Sequence, residues 1–511
     1  MLKEAVRHST FTTVGSLANA FIGLLFAGLT IRFLGDQRAG FLLLIQSIVS
    51  ISATTGGLGL GMAAIRRIAM LEGQGKKLSE VRTCLGVVLC VNLFVGLIVA
   101  ALLPFVFPWI FQWSRTDVVF RSDAFCACVL LALTFIVQQI SSAYAIVFPG
   151  MRRYDLVAVL GTVSGLLAGG GGLLVLSINR TMTALAALSL FSSVLILAVN
   201  VLLANRLVQA MIIPTWNLSE LRSMLRFGGW VYLGQVFSLL GGNFDKILIT
   251  NFLGSAGLPY YAIGQRLVSQ VHTLLTSQSQ YFFPMLAAKG EQMSSVVQKV
   301  EDRLRWFIGF ISATIYGGVA IMAYALLARL VGDGFARQAV VLFVLACVQG
   351  FLLAQAIVPY FVSLGEGRAA PNTVLTVVNT ALIFATMLLL IPRLGLLGAG
   401  LAQLWYVFFS FAYVYWVDRA GGRFTWSRMV RPWISPLIVA VICLITTWGG
   451  WRLQHLGWGY FVLGMAGFCF AFTAGILVEK YLYAEYRCLE TLRAAVQIVA
   501  RRLVPGWFAT R

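Results

Sequence analysis

The sequence predicts an all-α, polytopic membrane protein of about fourteen transmembrane helices, arranged as two six-helix pseudo-repeated lobes followed by two C-terminal helices. Three observations carry that prediction. Of the 511 residues 59% are hydrophobic and only 11% are charged, against about 25% charged in soluble domains. Such a chain cannot cover itself with a surface that water accepts, and its mean hydropathy of +0.88 says the same. The runs between charge clusters are about 18 to 25 residues long, the length of helix that crosses ~30 Å of hydrocarbon. Lipid offers the backbone no hydrogen-bond partner, so runs of this kind are helices; the alternating segments of a membrane barrel are not found. Finally, a short glycine motif recurs at the same place in both halves of the chain.

Apolar length and flanking charge place helices near 11–33, 40–63, 83–111, 122–147, 155–178 and 182–204. After a polar link come 225–252, 259–287, 306–330, 338–363, 373–391 and 397–417, then 434–451 and 459–479. The expected organisation is therefore a first lobe over 1–204, a cytoplasmic linker over 205–224 and a second lobe over 225–417. Two additional spans fall within 418–480, and a tail occupies 481–511. The segment after Lys3 and Arg7 reads as the first membrane helix, since no small-residue cleavage site follows it. Val296, Val297, Val300 and Leu304 recur at helical spacing and predict a short surface helix between two spans. In the tail, Leu482, Leu489, Leu492, Val496, Val499 and Leu503 recur among arginines, the pattern of an amphipathic helix lying on the inner leaflet.

The net charge of +20 sits in short loops rather than in a stripe. Alternate loops hold the clusters: Arg66, Arg67, Lys76 and Lys77 in one, Arg206 and Arg222 in another, Lys299, Arg303 and Arg305 in a third, Arg419, Arg428 and Arg431 in a fourth. By the positive-inside rule both termini are cytoplasmic. No basic block with interleaved aromatics appears, so nucleic acid is not an expected partner. The eight cysteines fall mostly inside apolar runs, and Cys126-Ala-Cys128 has no second pair that would make a metal site. There is no Walker A sequence, no paired acids at metal-binding spacing and no nucleophile–histidine constellation, so an enzyme is not expected.

The duplicated motif is Phe33-Leu34-Gly35 in one half and Phe252-Leu253-Gly254 in the other, an offset of 219 residues at which Gln46 also meets Gln265. Repeats of this kind build a central cavity in many transporters. Around the motif, Arg32-Phe33-Leu34-Gly35 with Gly40 resembles the hinge after the first helix of polysaccharide transporters, a family of the multidrug/oligosaccharidyl-lipid/polysaccharide exporter superfamily. Gly57-Leu58-Gly59-Leu60-Gly61 before Arg66-Arg67 is similar to the family's second-helix exit. Asp245-Lys246-Ile247-Leu248, Leu253-Gly254 and Tyr260-Tyr261-Ala262 resemble its seventh-to-eighth helix signature. Pro392-Arg393-Leu394-Gly395 with Gly398-Ala399 is similar to its turn before helix twelve. One departure is Pro259, which stands where such sequences carry glycine before the tyrosine.

The resemblance implies a flippase of the bacterial inner membrane that moves a polyprenyl-pyrophosphate-linked oligosaccharide between leaflets by alternating access, without ATP hydrolysis. Its expected partners are that substrate, membrane lipids and other polysaccharide assembly proteins; no cofactor is implied beyond a coupling ion, H+ or Na+. Such a head group needs cations for its pyrophosphate and amides or aromatics for its sugars, so polar residues within spans are the candidates. Asp245, Lys246 and Arg266 are the charges placed inside helices, and Asp245 is expected either to pair with Arg266 as a gate or to sit in a static structural pair. Asn19, Gln46, Gln138, Gln139, Tyr144, Gln235, Gln265 and Gln270 line a shared cavity or join helices by hydrogen bonds. Arg32 and Arg38 flank the hinge, as receivers of the pyrophosphate or as interfacial anchors. Two relatives of the same superfamily stand as alternatives, a cation-coupled multidrug exporter and a flippase of the peptidoglycan precursor, lipid II.

Overall fold

The computed structural model describes residues 22–56, 60–73, 78–151, 153–279, 295–365, 369–420, 422, 424–452 and 458–482. Every regular element among them is a helix. In chain order they are α1 (Ile22–Leu34), α2 (Asp36–Gly56), α3 (Leu60–Gly73), α4 (Leu78–Trp113), α5 (Arg121–Ala145) and α6 (Val147–Gly150). Next come α7 (Tyr154–Ile178), α8 (Met182–Val208), α9 (Leu218–Leu253), α10 (Leu258–Ser279), α11 (Ser295–Ile321), α12 (Ala323–Leu330) and α13 (Asp333–Ala354). The last are α14 (Ile357–Gly365), α15 (Ala369–Leu394), α16 (Leu396–Ala402), α17 (Tyr406–Ala420), α18 (Trp426–Arg452) and α19 (Trp458–Leu482). Short 3-10 turns precede α5 and α10 and separate α16 from α17.

The expected spans are helical over most of their described residues. Ten helical stretches among the described residues are long and apolar enough to cross a membrane, so length and hydropathy carry the expected fourteen only that far. Some expected spans are broken. The stretch 122–147 ends at Ala145 because Pro149 lacks the N–H that would bond the carbonyl four residues back, and its ring crowds that carbonyl. Pro359 does the same to Gln355, which divides 338–363 into α13 and α14. The surface helix expected near 296–304 is not separate, since α11 runs unbroken from Ser295 into the apolar stretch. The expected tail helix beyond 482 lies outside the described residues.

The chain divides into two compact units. The first comprises Met1–Arg266, Leu330–Phe335 and Thr376–Ala402; the second comprises Leu267–Arg329, Ala336–Leu375 and Gln403–Arg511. In the first unit α5 packs along α4 and α8, while α9 packs on α2 and α3. One end of this unit closes over a core of Leu60, Ala64 and Ile68 from α3, Cys84 and Val88 from α4, and Tyr144 and Val147 from α5 and α6. The link between α8 and α9 lies across that core. Gln209 ends α8 in a left-handed conformation, Tyr144 Oη donates to Ile212 O at 3.1 Å, and Thr215 N donates to Gly86 O at 3.1 Å. Arg67 of α3 pairs with Glu220 of α9 at 3.0 Å.

The opposite ends of α1 and α9 carry the duplicated motif, and the two turns have one geometry. Gly35 and Gly254 both take φ of 79°, and each donates its N–H at 2.9 Å to the carbonyl four residues back, Ile31 and Thr250 respectively. Those acceptors are related by the same offset of 219 residues as the glycines. With ψ of 175°, Gly254 lies in a region open essentially to glycine alone.

The second unit is joined by buried charge. Arg305 of α11 reaches Asp418 of α17 at 2.7 Å and also its own helix neighbour Glu301. Glu301 accepts from Arg428 of α18 at 2.9 Å, and Arg428 bonds Asp302 at 2.8 Å. Beside this network Trp306 Nε1 donates to Ser435 Oγ at 2.7 Å, and Ser435 donates to the buried Glu479 of α19 at 3.3 Å. The expectation that Asp245, Lys246 and Arg266 are the charges within helices is thereby corrected. Arg305 and Arg428 read as loop cations because Asp418 lies 113 residues from Arg305 and Glu301 lies 127 residues from Arg428, and only folding brings them together.

Two outcomes are expected from these features. Gly254→Ala forces a side chain into the glycine-only region and lowers stability by about 1–3 kcal/mol, read as an earlier thermal transition of detergent-purified protein. Arg305→Met leaves Asp418 and Glu301 buried with less compensation and costs about 3–5 kcal/mol by the same measurement. Arg67→Met, at the partly exposed pair, costs ~1 kcal/mol or less.

Candidate functional site

The turns of the first unit converge. Asp36, the first residue of α2, accepts a short hydrogen bond from Tyr260 Oη of α10, and Tyr260 stacks on Phe335 with ring centroids 4.6 Å apart. Ser255 N donates to Ser114 O at 2.7 Å. The hydroxyls of Ser114, Thr116 and Ser255 form a buried chain with oxygen separations of 2.7 and 2.9 Å. Trp113 Nε1 donates to Asn251 Oδ1 at 2.5 Å. Gly40 permits the approach: a Cβ there would stand 1.9 Å from Ser255 O and 3.2 Å from the Pro259 ring. The turns that follow α1 and α4 are thus latched to the turn between α9 and α10, and Pro259, the departure from the family's glycine, is one wall of the contact.

Arg38 belongs to the rim of this latch. Its guanidinium lies 4.0 Å over the Phe120 ring and donates to Arg180 O at 3.2 Å, while Arg180 lies 4.7 Å over Phe33. These contacts engage it with protein groups, the geometry of an anchor. Arg32 is exposed on α1. Nearby, the Asp123 carboxylate accepts from Met182 N at 3.0 Å and Thr183 N at 2.9 Å, capping the N-terminus of α8.

Deeper along the same helices the charges separate by role. Asp245 is 2% exposed and accepts from Tyr261 Oη at 2.7 Å, which ties α9 to α10. Lys246 turns back on its own helix, donating to Asn243 Oδ1 at 3.0 Å and Gly242 O at 3.1 Å. No ion pair between Asp245 and Arg266 forms among the described residues; Tyr261 takes the place that the sequence reading gave to Arg266. Arg266 instead lines a small cavity of about 50 Å³ with Thr30 of α1, Gln46 of α2 and the apolar faces of α1, α2 and α10. Thr30 spends its hydroxyl on Phe26 O at 2.7 Å. The polar groups left to face this cavity are the exposed Gln46 amide and Arg266 guanidinium. Of the three side chains, Lys246 and Arg266 are basic and Asp245 is acidic. A guanidinium within a membrane span is costly unless it meets an anion, water or a carbonyl.

A second cavity, of about 310 Å³, lies among α5, α7 and α8. Gln138, Ser141 and Ser142 line it from α5 and Ser189, Ser192 and Ser193 from α8, with Ser164 of α7 opposite. Gln138 Nε2 donates to Ser193 Oγ at 3.3 Å, and Asn200 Nδ2 donates to Ser141 Oγ at 2.8 Å. Gln139 is buried beside it, its carbonyl accepting from Asn92 Nδ2 at 3.1 Å. Tyr144, expected at a cavity, is core. Gln265 and Gln270 are partly buried on α10. Asn19 lies outside the described residues, as does the Gln235 side chain. The serines were missed in the sequence, where attention went to amides. Their signal was present: a polar residue followed by serines three and four positions later occurs in both α5 and α8, which puts three hydroxyl or amide groups on one helix face.

The sequence pattern of a family described as polysaccharide biosynthesis protein matches residues 29–340. The lipid II flippase MurJ, in an inward closed conformation, is similar over 92% of this chain and 99% of its own, with a TM-score of 0.71 at 9% identity. An inward-facing multidrug resistance MATE family transporter of the MOP superfamily is similar over 80% and 98%, with a TM-score of 0.64 at 13% identity. A MOP superfamily transporter from Pyrococcus furiosus is similar over 82% and 95%, with a TM-score of 0.59 at 14% identity. At these identities the likeness is one of fold, and the fold is that of these transporters. No curated protein matches the chain in sequence.

The Asp36–Tyr260 contact has a measurable weight. In a double-mutant cycle with Asp36→Asn and Tyr260→Phe, the coupling energy should be about 1.5–3 kcal/mol, read from thermal unfolding in detergent. Additive effects would remove the hydrogen bond from the latch.

Proposed function

The chain belongs to the polysaccharide biosynthesis protein family, and we propose that it is a flippase for a polyprenyl-pyrophosphate-linked oligosaccharide in the bacterial inner membrane. Both termini are cytoplasmic in this reading, and the lobes over 1–204 and 225–417 alternate access to the substrate. The observation that carries it is Arg266 on the wall of a cavity with Gln46. A guanidinium offers paired donors to phosphate oxygens, and the amide offers a further donor and an acceptor. In this reading the latch of Asp36, Tyr260, Ser114, Thr116 and Ser255 acts as the outer gate, and Arg38 braces its rim.

Two other readings share the fold. A cation-coupled drug exporter would want a buried carboxylate in the first lobe. Among the described residues the buried acids are Asp245, Glu301, Asp418 and Glu479, all beyond the span 1–204, and Asp245 is engaged by Tyr261. Lipid II is the more serious alternative, because a lipid II flippase is similar over 92% of the chain and its substrate carries the same pyrophosphate.

Purified protein in liposomes should expose a fluorescent polyprenyl-pyrophosphate oligosaccharide to an outside glycosidase faster than empty liposomes do. Arg266→Gln should slow this about tenfold or more, as expected for loss of a charge-assisted contact, with the thermal transition unchanged. Transport of lipid II but of no other glycan would move the protein to the second reading. Efflux of organic cations without any flipping would overturn the proposal.

A further inference from the structure

The serine-lined cavity among α5, α7 and α8 has no part in the chemistry assigned to Arg266. Its volume of about 310 Å³ is at the lower end of the ~300–1,000 Å³ typical of small-molecule sites. None of its lining residues is charged, which argues against a phosphate or a metal ion. Serines in membrane helices ordinarily bond their own helix or a neighbouring one, and several here do so. Ser142 Oγ donates to Gln139 O at 2.8 Å and Ser189 Oγ to Leu185 O at 3.0 Å, while Ser141 and Ser193 join α5 to α8.

Ser192 is the exception. It is 8% exposed, its hydroxyl has no hydrogen-bond partner among the described residues, and it lines the cavity midway along α8. A buried hydroxyl without a partner costs free energy unless a ligand or water supplies one. An acyl chain would leave that hydroxyl, and the exposed Ser164 across the cavity, facing hydrocarbon. A neutral polyol would satisfy both, because each of its hydroxyls donates and accepts. Midway along spanning helices is also the depth at which transporters hold substrate.

We infer that this cavity receives a sugar ring of the lipid-linked head group, with Ser192 as the hydroxyl that bonds it. The inference rests on the flippase reading and divides the recognition: Arg266 takes the pyrophosphate, while the serine cavity takes an uncharged sugar.

The test compares binding of two fluorescent probes to detergent-purified protein, a polyprenyl pyrophosphate carrying an oligosaccharide and the same carrier without sugar. Ser192→Val removes the hydroxyl and adds bulk, and should weaken the glycosylated probe about tenfold while leaving the sugar-free carrier unchanged. Ser192→Thr, which keeps the hydroxyl, should retain most of the affinity. Ser164→Val on the opposite, exposed wall gives a second selective loss in case Ser192→Val does not fold. If wild-type protein binds both probes and the valine variants weaken neither, or both alike, the sugar site is overturned and the flippase reading stands. If wild-type protein binds neither probe, the flippase reading fails and this inference fails with it.

Discussion

Hydrocarbon gives a polar group nothing to bond, and the rest of this structure depends on that constraint. It dictates helix for every span, and then it dictates what the polar side chains within the helices do. Asp245 takes the Tyr261 hydroxyl, Lys246 folds back on Asn243, and Asn92, Asn200 and Gln138 reach across to neighbouring helices. In the second unit, three acids and two arginines gather at the ends of α11, α17 and α18. A buried network of this kind is weak evidence for net stability, because desolvation offsets much of the attraction. Its clearer effect is geometric, since the carboxylates and guanidinium forks can be satisfied in few arrangements of the three helices.

Against that background the polar groups that line the two cavities are informative. Arg266 faces a cavity with Gln46, and Ser192 is buried with its hydroxyl unmatched among the described residues. One is charged and the other neutral, and they lie in separate cavities. A substrate with a pyrophosphate joined to sugars has both chemistries in one molecule. The latch between the turns is built from hydrogen bonds and a ring stack rather than from an extensive apolar core. Contacts of that kind are individually worth only about 0.5–1.5 kcal/mol, the scale on which the proposed gate would open and close.

The candidate site was legible in the sequence only in part. Gln46 and Arg266 stood out because an amide or a guanidinium inside an apolar run is rare, and the structure places them on one wall. The pairing of Asp245 was not legible: Arg266 and Tyr261 lie on the same short stretch of α10, and choosing between them depends on where the α9–α10 turn directs each helix face. Arg38 reads in the sequence equally as a phosphate receiver or an anchor, and only the structure shows Phe120 and Arg180 beside it. Tyr144 looked like an aromatic for sugars and proved to be core, because the carbonyl of Ile212 that it bonds belongs to a link 68 residues away. The serines escaped notice because serine is common in membrane helices, and a cavity is made by the spacing of three helices rather than by any one.

By itself the sequence determined the helical class, the apolar stretches that carry the ten candidate spans among the described residues, and the duplicated turn. Each of these follows from local physics: apolar length against bilayer thickness, and a backbone conformation at Gly35 and Gly254 that glycine alone adopts readily. Only the tertiary structure decided which polar groups are spent on one another and which line a cavity. Those partnerships join residues far apart in the chain, such as Arg305 with Asp418 and Asp36 with Tyr260. Hydrogen bonds and ion pairs act over a few ångströms of space, and sequence separation does not set that distance.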